Sequence, residues 1–188
     1  MKKVIRAASA AIVIIAPAMA AAQQSSASQI TEAVQILPED LRAGATVVTY
    51  DASGARQVLR QGTNFIECQP RMADGFTRCY NKSMAPRRDL EAKLRAEKKT
   101  DEEIQKAIAA AVQAGTLAAS PKGMMAYRGY DKRDRIQKLW VMSVPNATPE
   151  SIGVSEGSQR DEAIKGQGVP WLMLPGTAGA HIMVPINK

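Results

Sequence analysis

The sequence predicts an α+β fold, a mostly antiparallel sheet with a helical hairpin packed on one face and one disulfide tying two strands together. Three observations predict it. Short β-branched and aromatic runs recur between turn residues, which is the pattern of antiparallel strands. The only two cysteines, Cys68 and Cys79, sit in strand-like segments on either side of a turn. Between Pro86 and Gly115 the apolar spacing changes to that of helices. A chain of 188 residues has room for one such domain, and its low aromatic content, 4%, calls for an aliphatic core filled out with methionine.

Residues 1–22 read as a signal peptide. Lys2, Lys3 and Arg6 form a cationic start, residues 7–16 an apolar run, and Ala18, Met19 and Ala20 a small-x-small cleavage site. The run ends at Pro17 after about ten residues, short of the roughly 20 that cross a bilayer. No later stretch is long and apolar enough to span, so no transmembrane segment is expected after processing. The expected location is periplasmic or secreted. Processing removes three of the 25 cationic side chains, leaving 22 against 18 acidic ones and a net charge of +4 in place of +7. The basic residues between Arg87 and Lys106 are interleaved with acidic ones, which describes a solvated face better than a nucleic-acid patch. No nucleic acid is expected as a partner.

Residues 23–36 are rich in Gln, Ser and Ala and read as a mobile leader, although Ile30, Val34 and Leu37 have the spacing of a short amphipathic turn. A single domain is expected over 37–188. Residues 45–50 and 55–61 form a hairpin about the turn Asp51, Ala52, Ser53, Gly54. Residues 65–68 and 76–80 form a second one, and an exported chain with two thiols has one intramolecular pairing available, Cys68 with Cys79. Together these read as a four-strand meander. The helical hairpin follows at 86–115. Pro86 suits a first helical turn, Thr100 with Glu103 is a capping box, and Gly115 is a natural stop. Strand character returns at 123–130 and 137–144, about the charged tip 131–135, and again at 171–174 and 181–186. The long loop at 145–170 holds four Gly, three Pro and three Ser, and Ser158 with Asp161 has the makings of a short helix cap within it.

The run Leu59, Arg60, Gln61, Gly62, Thr63, Asn64, followed by Cys68, a second cysteine and a terminal Ala180, His181, Ile182, Met183, Val184, resembles a group of uncharacterised exported bacterial proteins. Those share an Arg-x-Gly-Thr-Asn segment before a Cys pair and a terminal strand of the Pro-His-Val-Met kind. This chain departs from them at Ala180, where the group has proline, and in its long helical insert. The resemblance implies an exported bacterial protein and brings no assigned activity.

Two constellations carry possible chemistry. Gly153, Val154, Ser155, Glu156, Gly157 matches a Gly-x-Ser-x-Gly elbow, with Asp161 and His181 following in the hydrolase order. An elbow needs a buried strand before the serine and a helix after it, whereas Pro149, Glu150 and Ser151 precede this one, so a Gly/Ser loop is the plainer reading. His181 and Met183 share a strand face, Trp140 with Met142 and Trp171 with Met173 repeat that spacing, and thioether and imidazole ligands select Cu(I). Methionine is also the ordinary gap-filler of a core poor in aromatics. No cofactor is therefore expected. The function expected is non-enzymatic, as a periplasmic or secreted binding or envelope-associated protein with its contact surface on loop 145–170 and tip 131–135. The alternatives are a small hydrolase using Ser155 or His181, a Cu(I) carrier using methionines and His181, and an inhibitor or immunity-like partner of another exported protein.

Overall fold

The computed structural model describes residues 26–132, 135–157 and 168–186. The signal-like segment, Ser158 and Asp161 lie outside these. After a helix over 26–34 (α1) and a short turn of helix, α2 (Glu39–Arg42), come β1 (Thr46–Tyr50), β2 (Arg56–Arg60), β3 (Ile66–Gln69) and β4 (Phe76–Asn81). A 3-10 turn (Lys82–Met84) leads into α3 (Ala85–Ala96) and α4 (Asp101–Gln113). The chain then forms β5 (Met125–Lys132), β6 (Arg135–Ser143), α5 (Pro149–Ile152), β7 (Trp171–Met173) and β8 (His181–Pro185).

The eight strands make one sheet in the order β2-β1-β3-β4-β5-β6-β8-β7. Every neighbouring pair is antiparallel except β1 and β3, which run parallel with Thr46 opposite Glu67 and Val47 opposite Cys68. The expected four-strand meander is thus corrected. Strand β2 turns outward to the sheet edge, and residues 61–65 cross back over the end of β1 to deliver β3 on its other side.

That crossing explains the Arg60 to Asn64 segment physically. The Arg60 guanidinium donates to the carbonyls of Arg42 and Ala45, the Gly62 amide to the Thr46 hydroxyl, and the Asn64 side-chain amide to the Leu41 carbonyl. Asn64 also accepts from the Ile66 amide, which starts β3. A side chain at position 62 has nowhere to go, since a Cβ there would stand 2.3 Å from the Gly44 carbonyl oxygen and 2.4 Å from the Thr46 amide nitrogen. Gly62→Ala is therefore expected to lose about 1–3 kcal/mol in urea unfolding, as overpacking against backbone does, while Gln61→Ala, exposed beside it, stays near neutral.

Cys68 and Cys79 face each other in register, their Cα atoms 4.0 Å apart, and form the expected disulfide. Alternation along β3 and β4 sends these two cysteines to one face and Glu67, Gln69, Arg78 and Tyr80 to the other. On the cysteine face the leader segment docks: Ala33, Val34, Ile36 and Leu37 are buried with Val47, Ile66 and both cysteines, and a cysteine sulfur, Sγ of Cys79, lies 3.3 Å from the Ala33 carbonyl oxygen. The part of the leader within the described residues is thus packed helix, because apolar residues four apart meet an apolar sheet face. Further along that face Val144, Ala147, Leu172, Ala180 and Ile182 form a second cluster under α5.

The helical hairpin lies over the opposite face. Its capping box at Thr100 and Glu103 is present, and Gly115 takes the left-handed conformation that ends α4. The apolar stripes of the two helices are spent on each other and on the segment after them, with Ile104, Ile108 and Leu117 buried against Leu90, Leu94, Ala111 and Val112. Little apolar surface is left for the sheet. This is why the interface between α3 and the sheet is polar and open.

Candidate functional site

A cleft of about 350 Å³ lies between α3, the start of α4 and the sheet face formed by β4 to β8. That size is at the lower end of small-molecule sites. Its walls are of three kinds. Arg78, Arg87, Arg88, Arg95 and Arg128 supply cations, Asp74, Glu91 and Asp101 supply anions, and Met72, Met84, Met124, Met173, Ala126 and Val141 supply apolar surface.

The cations are held in different ways. Arg78 pairs with Asp74 across the β3–β4 turn and lies over the Phe76 ring, and Arg95 pairs with Asp101 at 2.9 Å. Arg87 and Arg88, adjacent on α3, share one carboxylate: Glu91 stands 3.4 Å from Arg87 and 2.6 Å from Arg88. Burial would raise the Glu91 carboxyl, but the two guanidiniums outweigh it and hold the group below the usual carboxylate range. Arg87 is itself buried, and burial lowers its affinity for a proton, while the Glu91 charge overcomes the same effect at Arg88. Arg88 also lies over the Tyr80 ring, 5.1 Å from its centroid, and its Nε is buried without a hydrogen-bond partner.

Beyond Tyr80 the polar layer continues toward the sheet edge. The Tyr80 hydroxyl donates to the buried Glu67 at 2.8 Å and accepts from the Gln69 side chain at 2.9 Å. Glu67 pairs with Arg56, which also reaches Asp89 at 2.8 Å, and the Tyr50 hydroxyl donates to Asp89 at 2.7 Å. Burial and the neighbouring carboxylates keep both tyrosines protonated. At this end two carboxylates meet one arginine, and at the Glu91 end two arginines meet one carboxylate. The polar layer under α3 is thus polarised, with the cleft at its Glu91 end.

His181 closes the positive end. It stands opposite Met173 on β7 and Ser143 on β6. Its Nδ1 is 2.8 Å from the Gly179 carbonyl, an oxygen that can only accept, so Nδ1 carries the proton and Nε2 keeps the lone pair, buried and without a partner. Burial first, then the charges of Arg128, Arg88 and Arg87, push this imidazole down from its ordinary 6.5 to about 4. Gly179 borders this corner, where a Cβ on it would meet Gln105, Leu174 and the Arg87 guanidinium at ordinary contact distances of 3.4–3.6 Å.

That depression sets a pH dependence with a definite sign. Between about pH 6.5 and pH 4 the unfolded chain binds a proton at His181 that the folded chain refuses, so the contribution is complete above pH 6.5 and is lost as pH falls toward 4. It amounts to at most about 3 kcal/mol. His181→Gln is expected to flatten this part of the stability profile measured by urea unfolding at successive pH values, and a wild-type slope in the variant would refute the assignment.

Of the residues singled out from sequence, Ser155 lies outside the cleft that His181 lines, whereas His181 stands opposite Met173 and Met183 opposite Trp171 on one sheet face. Ser155 is exposed next to β7, where its carbonyl accepts from the Leu172 amide at 2.8 Å. Helix α5, capped by Gly153, precedes it, so the strand–serine–helix order of an elbow is missing. Met183 is fully buried against Trp171 and Leu139, while Met142 packs into the cluster on the opposite face and Trp140 is partly exposed. Among the described residues no cluster of three His, Cys, Asp or Glu could hold a metal ion. Of the tip at 131–135, the described residues Asp131, Lys132 and Arg135 belong to β5 and β6, with Lys132 opposite Arg135. Of loop 145–170, the described parts hold α5 and a bridge from Glu156 to Leu172. Sequence reasoning missed the α3 arginines and Glu91 as a site, reading them as a solvated face. The signal was the apolar spacing of α3, which has too few large residues to cover a sheet.

No family model matches the chain, and no curated protein or solved structure matches it either.

Proposed function

We propose that this is an exported, non-enzymatic binding protein whose ligand site is the cleft between α3 and the sheet. The observation that carries the reading is the interface itself. A helical hairpin whose role was only to cover the sheet would bury apolar side chains there, whereas this one presents Arg87, Arg88 and Glu91 across a cleft from Arg128 and His181. Buried charges are costly to keep, and such a layer makes sense where a ligand uses it. The buried disulfide supports export, since such bonds persist in oxidising compartments. Among the described residues no helix is long and apolar enough to cross a membrane. Binding is favoured over hydrolysis because Ser155 lies outside the cleft and a neutral imidazole with so low a pKa is a weak base near pH 7.

Methionine methyl NMR tests this directly. Met72, Met84, Met124 and Met173 line the cleft, whereas Met125 and Met142 oppose each other on the other sheet face and serve as internal controls. Small-molecule extract from the envelope of the producing cell is expected to move the first four resonances and leave the last two in place. Ala92→Phe, which fills the cleft from α3, should suppress the shifts. Shifts confined to Met125 and Met142, or none at all, would defeat the proposal.

A further inference from the structure

We infer that the cleft takes a small amphipathic monoanion, a carboxylate with a short aliphatic tail, with its charge at the Arg87, Arg88 and Arg128 end. This rests on the binding-protein reading above and specifies its ligand. Charge bookkeeping gives the sign and the number. Arg78 with Asp74 and Arg95 with Asp101 are matched pairs on the cleft walls, and beyond the cleft Arg56 stands between Glu67 and Asp89. At the near end the single carboxylate of Glu91 answers for both Arg87 and Arg88, with Arg128 on the sheet across the cleft from them. Among the described residues, Arg87 and Arg88 against Glu91 leave one positive charge over, which one negative charge on a ligand closes.

Burial first, then the charges of Arg128, Arg88 and Arg87, keep the His181 imidazole neutral, so the positive charge at this end belongs to the guanidiniums. Met173, which stands opposite His181, adds apolar lining to this end. Guanidinium groups match a carboxylate in shape and count of donors, and Arg88 has a buried Nε donor still unused.

The tail follows from the remaining walls. Met84 from the start of the helical layer and Met124, Ala126, Val141 and Met173 from the sheet give a flexible apolar lining, and Met84 reaches to the same Ser120 hydroxyl that faces Arg87, 3.3 Å from its guanidinium. Cation and thioether surfaces therefore adjoin, as a head and a tail of one ligand require. Thioethers adapt to chains of varied shape, so the tail is specified by length and polarity more than by branching.

The test uses the methionine methyl resonances of the intact, disulfide-bonded protein with three probes. Hexanoate has both head and tail, hexanamide keeps the tail without the charge, and acetate keeps the charge without the tail. Hexanoate is expected to shift the Met84, Met124 and Met173 methyls with saturation, and hexanamide and acetate each to bind at least about tenfold more weakly. Arg88→Met, which keeps the stem and removes the cation, should bring hexanoate down to the level of hexanamide. Because the acid and amide are compared on the wild-type protein, an unfolded variant does not weaken the result. Equal affinity for hexanoate and hexanamide would overturn the anionic head, and equal affinity for hexanoate and acetate the aliphatic tail. If envelope extract moves the cleft resonances and none of the three probes does, the ligand class is wrong while the binding site stands; if nothing moves them, both fall.

Discussion

With Glu91 replaced by alanine, the protein is expected to lose about 3–5 kcal/mol of folding stability, the cost typical of removing one partner from a buried ionic cluster. Glu91 is 14% exposed and is the shared counter-charge of Arg87 and Arg88, so its loss strands two guanidiniums side by side under the sheet. Urea unfolding should show a lower midpoint with an unchanged slope. A control separates charge from packing. Replacing all three groups with apolar residues of similar size, Arg87→Met, Arg88→Met and Glu91→Leu, is expected to restore most of the stability while abolishing anion binding. The effect also has a pH window. Because the two arginines hold the Glu91 carboxyl below its ordinary range, its contribution is present above the unfolded pKa, about 4.3, and disappears as pH falls through the lower folded value. The gap between wild type and Glu91→Ala should therefore close in strong acid. A loss under 1 kcal/mol at pH 7 would mean that solvent in the cleft already screens the cluster.

Removing the disulfide should have an effect of similar size through a different route. A bond between residues 11 apart restrains the unfolded chain by about 3 kcal/mol in the chain-entropy account, within the usual range of about 2–5. Both sulfurs are also fully buried against Ala33 and Ile66, so Cys68→Ser with Cys79→Ser adds two hydroxyls to an apolar cluster. The double alanine variant isolates the cross-link from that polar penalty. Its melting temperature should fall by on the order of 10 °C. Amide exchange should rise first at residues 30–37, because their docking site is the disulfide face. Uniform exchange across the chain would show that α1 does not depend on the clasp.

The two effects act on opposite faces of β3 and β4, and the sheet keeps them apart. Strand alternation puts Cys68 and Cys79 toward α1, and Glu67 and Tyr80 toward α3. A double-cycle between Glu91→Ala and the disulfide variants is expected to be additive within about 0.5 kcal/mol.

Local chemistry was legible along the chain. Period-two runs located each strand, and the turn Asp51 to Gly54, with Asp51 accepting from the Ser53 and Ala55 amides, set the first hairpin where the residues indicated. Thr100 with Glu103 fixed the start of α4, and two cysteines flanking one turn fixed their pairing in register. Each of these depends on residues close together in the chain, and short-range bonding depends only on them.

What no local pattern could decide was which surfaces would meet. The parallel pairing of β1 with β3 arises because Arg60, Gly62 and Asn64 bind the backbone of residues 41–46, a contact visible only once the chain has crossed over itself. Interleaved charges on α3 look the same in sequence whether they face water or a sheet. The tertiary structure turned Arg87, Arg88 and Glu91 inward because Leu90 and Leu94 were taken by α4, and long-range packing of that kind, summed over many weak contacts, has no short sequence signature.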